Sequence, residues 1–135
     1  MDFLLQTATK FAPQLLILVF LVITFLQSGI DKLLDWKGNL SFLKNHFGQT
    51  IFKNSVPLLL GLVTFGELVT GILSVLGILQ IYTSEITTIG LYATIIGAKV
   101  LLVLLLGQRI AKDYEGAMTI AVYFMITVFG VYLLK

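Results

Sequence analysis

The chain contains no cysteine, which excludes disulfides, thiolate metal sites and thiol redox relays carried by these residues alone. Charge is scarce. Only 12% of the 135 residues are Asp, Glu, Lys or Arg, about half the share a soluble domain uses and too little to clothe a water-facing surface. The net charge of +2 is too weak to suggest nucleic acid, so no such partner is expected. Histidine occurs once, at His46, so a monomer cannot offer two axial histidines to a haem. HExxH, GxSxG and a Gly-rich phosphate loop are all missing. No metal site is expected, and the chain has no complete catalytic motif of its own.

What fills the sequence instead is apolar: 58% of residues are hydrophobic and the mean hydropathy is +1.00. The natural solvent is lipid. A spanning helix needs about 20 mainly apolar residues, and four stretches meet that requirement, at about residues 13–34, 57–80, 86–106 and 116–134. Pro13 and Pro57 sit at the first turn of two of them, where proline is tolerated. The N-terminus lacks the charged region, short apolar core and cleavage site of a signal peptide, so the first stretch reads as a retained helix. The sequence therefore predicts an all-α, single-domain, integral membrane four-helix bundle in contact with the lipid bilayer.

The connections are uneven. Tyr82-Thr83-Ser84-Glu85 reads as a short polar turn, and residues 107–115 as a charged connection. Residues 38–55 form a longer link in which Leu40, Phe42, Leu43 and Phe47 recur at helical spacing, which predicts a short segment lying in the membrane interface or capping the bundle. His46 belongs to that segment and reads as an interfacial residue. Lys32, Lys37, Lys44, Lys53, Arg109 and Lys112 all fall on the side of these two links, against Lys10 and Lys135 on the side of the termini. Six cations against two place the links in the cytoplasm and both termini outside, in the periplasm of a bacterial inner membrane.

In hydrocarbon, helices bury polar and small residues against each other. Thr24, Gln27, Ser28, Asp31 and Asp35 form one such stripe, Thr64, Glu67, Gly71 and Ser74 a second, and Thr119, Tyr123, Thr127 and Gly130 a third. The third span has a close-packing face, Gly90, Thr94 and Ala98, from which Lys99 points away. Glu67 and Lys99 are the two ionisable groups deep in the spans, and counting from the helix ends puts them and Gln27 within about one helical turn in depth. An unpaired charge there costs at least about 2.5–3.5 kcal/mol, so a Glu67–Lys99 pair is expected. A protonated Glu67 and a snorkelling Lys99 are the alternatives. At the mouth, Asp31, Lys32, Asp35, Arg109, Lys112, Asp113, Tyr114 and Glu115 read either as a solvated loop or as an entrance in which Lys32 and Arg109 collect a polar headgroup.

Two segments carry a family resemblance. Phe25-Leu26-Gln27-Ser28-Gly29-Ile30-Asp31-Lys32-Leu33 resembles the end of the first helix of DoxX-like proteins, and Gly66-Glu67-Leu68-Val69-Thr70-Gly71-Ile72-Leu73-Ser74-Val75-Leu76-Gly77 resembles their second helix. Gly29, Lys32, Glu67 and Gly71 match the recurrent pattern, whereas Lys99 and residues 113–115 match less closely. The resemblance extends over nearly the whole chain. It implies an inner-membrane subunit in the wider group that includes the small subunit of thiosulfate:quinone oxidoreductase and the methylamine-utilisation protein MauE.

On that reading the bundle binds a lipophilic ligand such as a quinone and serves a redox partner, with Glu67 and Lys99 as the catalytic pair. Gln27 and Tyr123 orient the ligand, and Asp31, Lys32 and Arg109 stand at its entrance. Any electron carrier comes from a ligand or another subunit. The rival expectation is a non-enzymatic membrane assembly or transport component in which the Glu–Lys pair is structural and the interfacial segment docks an envelope protein or a second copy.

Overall fold

The computed structural model describes residues 2–135. Six helices account for nearly all of them: α1 (Asp2–Lys10), α2 (Ala12–Leu34), α3 (Trp36–His46), α4 (Val56–Ser84), α5 (Thr88–Ile110) and α6 (Tyr114–Leu134). Helices α2, α4, α5 and α6 have 23, 29, 23 and 21 residues, and each is long and apolar enough to cross a bilayer. The chain is a multi-pass membrane protein built as a four-helix bundle. At 1.5 Å per residue α4 is about 43 Å long, more than the roughly 30 Å hydrocarbon core, so its ends reach the headgroups.

The helix limits differ from those expected wherever polar residues finish a helix. Thr83 and Ser84 return their hydroxyls to the carbonyls of Leu79 and Gln80, which satisfies them inside the helix, so α4 outruns the expected turn. Glu85 then stops it with a left-handed φ of 55°. Helix α5 takes in Gln108 and Arg109 and ends at Ile110; Lys112, two residues on, is left-handed at 61°, with Asp113 N–H donating back to Gln108 O. That is the Schellman ending, made here without glycine. Asp113 opens α6 by accepting from Gly116 N–H at 3.0 Å. Asp35 likewise separates α2 from α3, its carboxylate accepting from Gly38 N–H. Of the expected segment 38–55, the part up to His46 is helical as α3 and residues 47–55 are turns; Phe42 of α3 is 63% exposed.

The bundle closes in the order α2–α4–α5–α6, with α6 returning against α2. Its core is Leu18, Leu21, Phe25, Ile81, Leu101 and Leu134. Lipid is as apolar as these side chains, so close packing rather than water exclusion holds the helices together. Glycine makes the approach close at two places. A Cβ on Gly71 would lie 2.8–3.0 Å from Leu26 of α2, backbone included, and one on Gly77 would lie 2.8 Å from the Gly90 backbone of α5.

Helix α1 was not anticipated. It bends from α2 at Phe11 and lies against the end of α4, where buried Thr7 donates to Glu85 Oε1 at 3.3 Å and Lys10 Nζ reaches Glu85 Oε2 at 3.0 Å. The Lys10 ammonium and the Thr7 hydroxyl hold the Glu85 carboxyl below the usual carboxylate range.

Candidate functional site

The buried carboxylate has a cation, but not the expected one. Glu67, 2% exposed on the inward face of α4, meets Lys32 of α2, whose Nζ stands 2.9 Å from Oε1. The angles at this contact are outside hydrogen-bond geometry, so Oε1 is buried without a hydrogen-bond donor. The Lys32 ammonium does donate to Ser28 Oγ, at 2.7 Å and one turn back along its own helix. The register explains the reach. Gly71 lies beside Leu26 and Gly29 beside Leu68, which places the Lys32 backbone about half a turn, roughly 3 Å, nearer the loop end than Glu67, a gap the flexible four-carbon lysine stem covers.

Lys99 corrects the expectation in an instructive way. Gly66 packs on Val100 and Gly97 on Thr70, so Lys99 does stand level with Glu67. It is nevertheless exposed on the outer side of α5, because Gly90, Ala93, Thr94, Gly97, Val100 and Leu101 turn the opposite face into the bundle. Depth can be counted along a helix; which way a side chain faces depends on how the helix packs.

The remaining expected site residues scatter. Gln27 and Asp31 are exposed, and the buried face of α2 is Leu15, Leu18, Leu21, Phe25 and Gly29 instead of the polar stripe. A π-type turn at Val22–Leu26 lies between the halves of this helix and changes the rotation between them, since it holds more residues than an α-turn. Tyr123 packs edge-on to Phe20 with ring centres 5.8 Å apart. Arg109 is exposed and stacked over the Tyr114 ring at 4.8 Å. Thr119 is exposed too, so of the α6 stripe only Thr127 and Gly130 are fully buried. The α4 stripe is buried throughout, with the Thr64 and Ser74 hydroxyls donating to the carbonyls of Leu60 and Thr70.

The structure also contains a cavity of about 650 Å³ at the loop end, beside the ion pair. Its size is that of a small-molecule site. Leu59, Leu60, Val63, Leu104 and Ile120 supply apolar walls from three spans, and Phe42, Phe47 and Phe52 roof it. Ser28, Lys32, Asn39, His46, Gln108 and Asp113 make its polar part. Gln108 Oε1 is buried with no hydrogen-bond partner. His46 Nε2 lies 3.8 Å from Asp113 Oδ2, and its ring stacks on Phe42 with centres 5.4 Å apart, so α3 is held over the α5–α6 connection. Of the residues expected to carry the site, Lys32 lines this space, together with Asp113 of the expected mouth and Ser28 of the first polar stripe, whereas Glu67, Lys99, Gln27, Asp31, Tyr123 and Arg109 do not. The phenylalanine spacing in residues 39–47 was the one legible signal for the roof, and nothing in the sequence singled out Gln108.

Lys32 thus belongs to two settings, with its ammonium against a buried carboxylate and its side chain on a cavity wall. Among the described residues no three His, Cys, Asp or Glu side chains come together as a metal site would require. Comparison with family models, curated proteins and solved structures gives no match in any of the three.

Proposed function

We propose that the protein is a ligand-binding membrane subunit that holds a lipophilic molecule with a hydrogen-bonding head in the loop-end cavity, a quinone being the class that the DoxX-like resemblance implies. The supporting observation is the cavity itself, with apolar walls and, at its polar part, both a lysine ammonium and an amide carbonyl with no partner. These residues fit such a group. Gln108 Oε1 would accept from a hydroxyl of the reduced head, and Lys32 Nζ would donate to a carbonyl of the oxidised one. Phe42, Phe47 and Phe52 would cover the ring. A bound quinone would supply the redox chemistry, and electrons would pass to or from a partner subunit. The chain's own part is to orient the head, exclude lipid from it and hold a proton on the Lys32–Glu67 pair.

The test is to purify the protein from native membranes and quantify extracted quinone against protein. Near-stoichiometric quinone in wild type, lost in Gln108→Leu and in Leu104→Trp, which fills the cavity, is the expected result. No enrichment in wild type over bulk lipid, together with no binding of an added short-chain quinone, would overturn the proposal.

A second reading draws on a different observation: Glu67 does not line the cavity, and its contact with Lys32 ties α2 to α4. On that reading the pair is structural, the protein is an assembly component, and α3 docks a partner through exposed Phe42. Loss of one stoichiometric partner on Phe42→Lys, with quinone absent throughout, would favour it.

A further inference from the structure

Two opposite charges outside the cavity stand at one height on opposite sides of the bundle. Lys99 is at the midpoint of α5, eleven residues from Thr88 and eleven from Ile110. The contacts between helices fix the height of Asp31. Gly71 packs on Leu26 and Gly29 on Leu68, which sets Asp31 level with Gly66, and Gly66 packs on Val100. Asp31 therefore matches Lys99 in depth to within about 1.5 Å, one residue's rise. Both residues are exposed, and neither side chain makes an ion pair or hydrogen bond with a described residue. Exposed Tyr92, Leu102 and Val103 surround Lys99 with largely apolar surface, and exposed Ile23, Ile30 and Leu34 do the same for Asp31. A charge within the spans is costly unless it meets an opposite one.

Lys99 lacks a carboxylate and Asp31 lacks a cation, and each copy of the chain carries both. They cannot meet within one copy, because α2 and α5 are diagonal in the closing order α2–α4–α5–α6 and their exposed faces point away from each other. They can meet between copies. One sequence obeys one cation bias and inserts one way up, so equal heights stay matched in neighbouring molecules. Packing like on like, α5 on α5 or α2 on α2, would set two cations or two carboxylates against each other. The complementary contact is heterologous: it leaves a free Asp31 at one end and a free Lys99 at the other, and so continues into a row, or into a ring if each step turns. We infer that copies of this chain associate head to tail in the membrane plane, the outer face of α5 on one against the outer face of α2 on the next, with Lys99 paired to Asp31 across the contact. Gln27, exposed one turn from Asp31, adds a second polar group to a face that hydrocarbon would otherwise cover, and polar groups in lipid turn towards other helices. This contact does not depend on the ligand proposed for the cavity.

Because the chain has no cysteine, the contact can be trapped by introduced cysteines that leave the charged pair intact. The same register sets Ile23 level with Tyr92 and Leu34 level with Val103, and all four are exposed. Within one copy the members of each pair lie on outward faces of diagonal helices, beyond the roughly 7 Å between α-carbons that a disulfide spans. The experiment oxidises native membranes carrying Ile23→Cys/Tyr92→Cys, Leu34→Cys/Val103→Cys or each single variant, and reads the products on non-reducing gels. The expected result is a ladder of dimer, trimer and higher species from the double variants, with the single variants monomeric. In the double-cysteine chains Lys99→Met or Asp31→Asn should reduce the ladder at least tenfold, and Lys99→Asp combined with Asp31→Lys should restore it. Dispersed as monomers in detergent, the charge variants should keep the wild-type thermal midpoint, measured first, because both residues are exposed. The inference is overturned if the double variants stay monomeric, if a single variant cross-links as strongly as the double, if the ladder ignores both Lys99→Met and Asp31→Asn, or if the cross-linked species contain a different protein. Quinone content, measured on the same membranes, reports separately on the cavity.

Discussion

Removing Lys32 and keeping Glu67 is the sharpest test of the buried pair. In Lys32→Met the stem is replaced by one of similar bulk while the carboxylate, 2% exposed, loses its only cation. Breaking a fully buried ion pair by deleting one partner costs about 3–5 kcal/mol, chiefly because an uncompensated charge is left behind. Lys32 keeps 20% of its side-chain surface, and the cavity beside it is polar and roomy enough for water. The lower end of that range, about 3 kcal/mol, is therefore expected. For a chain of this length that corresponds to a fall of about 10 °C in thermal midpoint. Replacing both partners with apolar residues removes the orphaned charge as well, so Lys32→Met/Glu67→Met should come within about 1 kcal/mol of wild type or exceed it. Unfolding in detergent, followed by circular dichroism with heat or by titration with a denaturing detergent, measures all three proteins. Lys99→Met, which deletes an exposed lysine of the same height, is the control and should be neutral. The reasoning is refuted if the double variant is as unstable as Lys32→Met, or if Lys32→Met is no less stable than Lys99→Met.

The contact that holds α1 in place should depend on pH. The carboxyl of Glu85 is held low by Lys10 and Thr7, so its folded value lies below the ordinary glutamate value of about 4.3. The stabilisation is complete above that ordinary value and is lost as pH falls through the depressed one. Hydrogen exchange of residues 2–10 should therefore speed up in acid, and Glu85→Gln should exchange at the fast rate at every pH; exchange that ignores both acid and the substitution would show that α1 docks by other means. The absence of native cysteine makes topology directly measurable. Single cysteines replacing Lys53 and Lys112 should react with an impermeant maleimide from one side of the membrane, and those replacing Thr83 and Lys135 from the other. Any mixed pattern would exclude four complete spans.

Much of the architecture is legible in the residues because lipid imposes severe rules. With no water in the hydrocarbon core, backbone groups must be satisfied within each segment, so long apolar runs become helices whatever their tertiary contacts. That is why four spans could be located, and why the stripe of Thr64, Glu67, Gly71 and Ser74 proves buried along its whole length. Helix ends were less legible. They depend on hydroxyls that fold back on the helix, as at Thr83 and Ser84, and on left-handed residues such as Glu85 and Lys112, which no hydropathy pattern encodes.

The sequence alone determined that this chain lives in lipid, how many times it can cross, and that Glu67 and Lys99 stand at one height, because composition, segment length and rise per residue are properties of the chain itself. Only the tertiary structure decided that Glu67 meets Lys32 while Lys99 faces outward, that α3 roofs a cavity, and that α1 is tied to Glu85. Those outcomes depend on the rotation of each helix about its axis, and rotation is set by the neighbours against which small residues such as Gly71, Gly90 and Gly97 can pack.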